Sequence, residues 1–155
     1  IILMSNKKVK CPYEALIKSA YANETARAKG SQTGSTNKQL AEEREKFFLA
    51  RRDTIDITVD FLQNMFMEQD GLCPVSDIVI DMNDKHIKDK SDWRWMLAPS
   101  LDRLDNNLGY TKENVQIVTR FVNVGFKDFS GDRELIANIL FRGHPRPANG
   151  LECLV

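Results

Sequence analysis

The sequence predicts an α+β protein in which helices precede a strand–turn–strand–helix unit. Three observations carry this. Residues 100–127, SLDRLDNNLGYTKENVQIVTRFVNVGFK, close an extended apolar run that begins at Met96, reverse through Asp105, Asn106, Asn107 and Gly109, and resume with the β-branched Val115, Ile117 and Val118. Upstream, apolar residues recur at helical spacing in three separate stretches. Polar segments bearing glycine or proline punctuate the chain between its elements.

Taken in order, residues 12–29 favour a helix through Tyr13, Leu16, Ile17 and Ala20, with Gly30 as its stop and 30–37 as a polar linker. Asn37 is placed to cap a second helix over 38–52, whose Leu40, Phe47, Phe48 and Leu49 form an apolar side. A third helix over 59–70 presents Phe61, Leu62, Met65 and Phe66 to a core and ends at Gly71. A short strand is expected over 75–81 and a loop over 81–92, after which Trp93 and Trp95 lead into the first strand of the main unit. Thr119 can cap the helix that follows the second strand, with Phe121, Val122 and Val124 continuing its apolar pattern. A last amphipathic helix is expected over 132–141, and Pro145 and Pro147 prevent the tail from extending it.

The 155 residues suit one domain with extensions, divided as a helical arm over 1–52, a body over 53–141 and a tail over 142–155. Net charge is zero but unevenly spread: the arm carries 11 Lys or Arg against 5 Glu, while residues 53–113 carry 6 basic against 13 acidic. A basic arm ahead of an acidic body suits a phosphate-binding extension beside a metal site, or else a solvated helix surface rich in lysine. The second helix could pack on the body, or its Arg44, Lys46, Arg51 and Arg52 could face DNA. Cys11, Cys73 and Cys153 are odd in number and lack CxxC spacing, which argues against a disulfide framework and against a structural zinc, and for a reducing compartment. No signal or spanning segment is read, so a cytoplasmic protein with no membrane partner is expected.

The chemistry concentrates in residues 100–127. Asp102, at the end of the first strand, and Asn123, in the first turns of the helix, can point into one cleft although they are distant in sequence. A charged and a neutral oxygen facing one another suit a hard divalent cation, and so few ligands leave positions for water and phosphate. Phosphodiester hydrolysis needs an attacking water, neutralisation of charge on the phosphoryl oxygens and help for the leaving 3′ oxygen.

The stretch resembles the ββα-metal core of HNH endonucleases, in the phage and mobile-element branch that carries Ser-Leu-Asp-Arg-Ile-Asp, Gly-Tyr and two later asparagines. The matching residues are Ser100, Leu101, Asp102, Arg103 and Asp105, then Gly109 and Tyr110, then Asn114 and Asn123, with Cys73-Pro74 upstream. The resemblance covers about half to two-thirds of the chain and leaves the first fifty residues outside. It implies a divalent-metal-dependent DNA endonuclease of the phage or homing type, in a bacterial or phage-infected cell, using Mg²⁺ or Mn²⁺ held by Asp102 and Asn123, with Asn114 bracing the motif loop. Double-stranded DNA is the expected partner, and double-strand cutting would need two chains or two turnovers.

One departure matters. Most HNH enzymes place a histidine base after the metal-binding Asp, whereas this chain has Arg103, which stays protonated and could clamp phosphate instead. Asp105 is then the candidate base, if burial tunes it, or else a turn former or a partner of a metal ligand. His86, or water activated without any side-chain base, are the other options. Lys112, Arg120 and Lys127 flank the cleft as expected phosphate contacts, alongside Arg51 and Arg52 from the arm. The alternative function is a degenerate HNH domain that binds DNA without cutting it.

Overall fold

The structure, a computed structural model, describes residues 11–33 and 36–125. The expected helix over 132–141, the tail, Lys127 and Cys153 lie outside the described residues. What is described is a mixed α+β chain with five α-helices and one two-stranded antiparallel sheet.

Helices α1 (Pro12–Thr33) and α2 (Lys38–Asp53) form an antiparallel hairpin. Along α1, Leu16, Ala20, Glu24 and Ala28 recur every fourth residue and are all buried, so one stripe of the helix faces inward. Gly30 does not stop α1, which runs on to Thr33. Glycine costs a helix only about 1 kcal/mol relative to alanine, and the Ser31 hydroxyl donates back to the Arg27 carbonyl at 2.9 Å. Asn37 caps α2, its Oδ1 accepting the Leu40 amide at 3.3 Å. Thr54 ends the helix by donating its hydroxyl to the Arg51 carbonyl at 2.8 Å.

Helix α3 (Val59–Glu68) is capped by Thr58, whose hydroxyl accepts the Phe61 amide at 3.2 Å. It buries Leu62 completely and closes through Asp70 and Gly71, both at positive φ. The Gly71 amide donates to the Phe66 carbonyl at 3.0 Å. Beyond it the expected strand over 75–81 is replaced by a tight reversal with a single bridge between Leu72 and Val79. Pro74 brings no amide to a ladder, and Asp77 turns through φ 57°. Within the expected loop, Asn83 caps a short helix, α4 (Asp84–Lys88). The tryptophans form a 3-10 helix, Trp93–Leu97, capped by Asp92, rather than extended chain.

Strand β1 (Pro99–Arg103) pairs antiparallel with β2 (Val115–Thr119), with Leu101 opposite Ile117 and Asp102 opposite Gln116. Alternation puts Leu101, Arg103, Val115 and Ile117 on one face and Ser100, Asp102, Gln116 and Val118 on the other. The first face meets α1 and α3 in a core that joins Leu16 and Ala20 to Ile57, Leu62, Leu101 and Ile117. Helix α5 (Arg120–Gly125) follows β2 directly and buries Val122. Gln69 manages the outer edge of β2: its side-chain amide accepts from the Ile117 amide at 3.2 Å and donates to the Ile117 carbonyl at 2.7 Å. The hairpin α1–α2 is therefore packed on the body. Among the described residues no helix is long and apolar enough to cross a membrane.

Candidate metal centre

The β1–β2 hairpin has two chemically different faces, and consecutive residues of the motif fall on opposite ones. On the outer face Asp102 is 95% buried, at 5% exposure, and its Oδ2 accepts from Gln116 Nε2 at 3.1 Å. Asn123 reaches the same face from α5, donating its Nδ2 to Ser100 Oγ at 2.7 Å and to the Leu101 carbonyl at 2.9 Å. A carbonyl only accepts, so the amide nitrogen must face Leu101 and the Asn123 oxygen is turned the other way. A carboxylate and an amide side chain held against the same strand could serve as a sparse, hard donor pair of the kind that Mg²⁺ or Mn²⁺ accepts while keeping positions for water and phosphate. Among the described residues no three His, Cys, Asp or Glu side chains converge as a metal site. Cys73 is buried in the core and Cys11 is partly buried, both as free thiols.

The inner face holds Arg103, buried and committed to the turn. Its Nη1 donates to the Asn106 and Leu108 carbonyls, both at 3.0 Å, and its Nη2 to Asn106 Oδ1 at 3.1 Å. The guanidinium also lies 5.2 Å from the Tyr110 ring centre. The phosphate clamp expected of Arg103 is thus not brought beside Asp102, because strand alternation sends the two side chains to opposite faces.

Asn114 is the main brace of the turn. Its Oδ1 accepts the Asp105 amide at 2.8 Å, while its Nδ2 donates to the Asp105 and Gly109 carbonyls at 3.0 and 2.9 Å. Asp105 is exposed, with its Oδ1 accepting the Asn107 amide at 2.8 Å. This is an aspartate turn, and it lacks the burial on which a base role for Asp105 was to draw. Gly109 packs so closely on the end of α2 that a Cβ there would sit 3.3 Å from both the Arg51 carbonyl and Thr54 Oγ1. Tyr110 follows, buried, with its hydroxyl accepting from Asn23 Nδ2 at 3.1 Å. The Gly-Tyr pair therefore docks the turn on the helical hairpin.

The same interface consumes an expected DNA contact. Arg51 is buried, donates from Nη2 to Glu24 Oε1 at 2.9 Å, and packs beside the rings of Phe47 and Phe48. Glu24, fully buried, also accepts from Arg27 at 2.9 Å and stands 3.7 Å from Arg103 Nη1. Arg51 is correspondingly removed from any DNA surface, since releasing it would strand a buried carboxylate. Arg52 remains at the surface, bonded to Asp53 at 3.0 Å. Lys112 is exposed near the Phe61 ring. Arg120, half-buried, stacks over Trp95 at 4.2 Å, and burial lowers its pKa from the ordinary arginine value.

His86 is held by Asp81, Nδ1 to Oδ2 at 2.5 Å. Asp81 itself bonds through its amide to the Leu97 carbonyl, at the opposite end of β1 from Asp102. Sequence reading missed Glu24, Gln116 and Gln69. Glu24 left a signal, a glutamate on the apolar stripe of α1. Gln116 and Gln69 left none, because nothing local specifies which residue lies opposite Asp102 or beside the edge of β2. No family model matches the chain, and neither the curated proteins nor the solved structures include a match.

Proposed function

We propose that this chain is a divalent-metal-dependent endonuclease of the HNH type that hydrolyses DNA phosphodiester bonds, Mg²⁺ or Mn²⁺ being the expected ion. The observation that carries the reading is the Asn123 amide, whose nitrogen is held by Ser100 Oγ and the Leu101 carbonyl and so fixes the side chain against the strand that carries Asp102. Asp102 and Asn123 would hold the cation, which supplies charge neutralisation at the phosphoryl oxygens and assistance to the leaving 3′ oxygen. Gln116 fixes the Asp102 carboxylate, and Asn114 and Arg103 hold the turn from within, as positioning residues. Arg120 and Lys112 contribute phosphate contacts, and Lys127 belongs to the same expectation from sequence.

Cleavage of supercoiled plasmid with Mg²⁺, Mn²⁺ or EDTA tests this. Metal-dependent nicking or linearisation that disappears in Asp102→Ala and Asn123→Ala supports it, and a folded, metal-supplied parent that cuts no DNA counts against it. One observation favours the second reading, a DNA-binding domain that does not cut: the position after Asp102 is a buried arginine turned to the inner face. Retained plasmid binding without cleavage would select that reading.

A further inference from the structure

Trp93 is the most exposed of the large apolar residues described, at 71%, yet it sits on a short element fixed at both ends. Asp92 accepts the Arg94 amide at 2.9 Å and binds the Arg94 guanidinium at 2.6 Å. At the far end Ala98 donates to the Trp95 carbonyl, and Asp81 to the Leu97 carbonyl. The indole is thus presented on a braced turn, where an aromatic face in water is available for stacking.

The other tryptophan of the same turn carries a cation. Arg120 rests on Trp95, with Lys90 Nζ 6.0 Å from the same ring, and among the described residues no acidic side chain bonds to Arg120. Acidic groups of this stretch are already engaged: Asp92 by Arg94, Asp81 by His86, Asp84 by Lys88 and Asp89 by Ser91. A half-desolvated guanidinium on an aromatic shelf offers an anion a strong partner. Its place is also set, because the Arg120 amide bonds to the Ala98 carbonyl at 2.8 Å, and Arg120 precedes Asn123 by one helical turn. From Ala98 to Asp102 the extended strand spans roughly 13 Å, about four nucleotide rises of one DNA strand.

We propose that this surface holds the substrate strand, with Arg120 on a backbone phosphate and Trp93 stacked on an unpaired base, so that the preferred substrate is DNA with a single-stranded or locally opened segment. Its place beside Asp102 and Asn123 rests on the nuclease reading. The unpaired base follows from stacking: in an intact duplex both faces of each base are covered, so an exposed indole gains a π-face only where a base has left the stack.

Both tryptophans of the chain lie here, so intrinsic fluorescence reports binding directly. Titration in EDTA, with a single-stranded oligodeoxynucleotide and with its duplex, would compare the parent with Trp93→Ala, Arg120→Gln and the remote control Lys18→Ala. The expected result is quenching by the single strand, with binding weakened roughly 5- to 100-fold in Trp93→Ala and the salt slope reduced by about one in Arg120→Gln. Equal binding by the parent, Trp93→Ala and Arg120→Gln overturns the proposal, as does a duplex affinity that depends on Trp93 as strongly as the single-strand affinity. Trp93 is exposed, so its variant remains decisive should Arg120→Gln lose its fold by circular dichroism. Binding that follows these variants without cleavage would sink the nuclease reading alone, whereas cleavage indifferent to them would sink this surface alone.

Discussion

The two faces of one β-hairpin behave differently. On the inner face Arg103 and Tyr110 interlock with Glu24, Asn23 and Arg51 of the α1–α2 hairpin, whereas on the outer face Asp102, Ser100 and Asn123 form a smaller set with an amide oxygen turned away from its anchors. The difference teaches that a dense motif need not be dense in chemistry. Ser-Leu-Asp-Arg-Leu-Asp and Gly-Tyr supply mostly scaffold, and the proposed chemistry narrows to the residues on one side of the strand.

The sharpest test of that division is Asp102→Ala. On the nuclease proposal it should lower metal-dependent cleavage by at least about a hundredfold, because few ligands would hold the cation, while the thermal midpoint stays close to that of the parent. An equal loss of cleavage and of fold would erase the distinction between faces. Glu24→Ala should do the reverse: leaving Arg51 and Arg103 without their buried carboxylate should cost about 3–5 kcal/mol in urea unfolding. A change under half of that would mean the network is not what holds the arm to the turn.

Smaller effects probe the turn itself. Asn114→Ala removes three side-chain hydrogen bonds and leaves Asp105 and Gly109 groups to find water, so a loss of about 1–3 kcal/mol is expected. Gly109→Ala would press a methyl group against the end of α2, costing about 1 kcal/mol if the two backbones ease apart. Asp105→Asn should change least: it keeps an acceptor for the Asn107 amide, and an exposed turn position typically shifts stability by less than about 0.5 kcal/mol. Cleavage by Asp105→Asn should match the parent, and a fall of about a hundredfold or more would restore Asp105 as the base.

Much of the local structure was legible beforehand. Asn37 and Thr119 accept the amides of Leu40 and Val122 as their positions before apolar runs suggest, because capping joins residues three apart. The β-branched run fixed β2, and the turn formers at 105–109 located the reversal. The segment 75–97 was harder. Its short apolar runs have no decisive period, so a reversal, a one-turn helix and a 3-10 helix replace the expected strand, loop and extended lead.

By itself the sequence determined the helices before the hairpin and the order of β1, turn, β2 and α5, and it named the oxygen-bearing residues proposed for a hard cation, since periodicity, capping and turn formation act over a few neighbouring positions. Tertiary structure alone decided which of those residues face the same way. Docking the turn on α1 and α2 buried Arg51 and Arg103 around Glu24, and left Asp102 and Asn123 on the opposite side. No local rule could assign those roles, because the energy of burying a charge depends on which partner the rest of the chain brings to it.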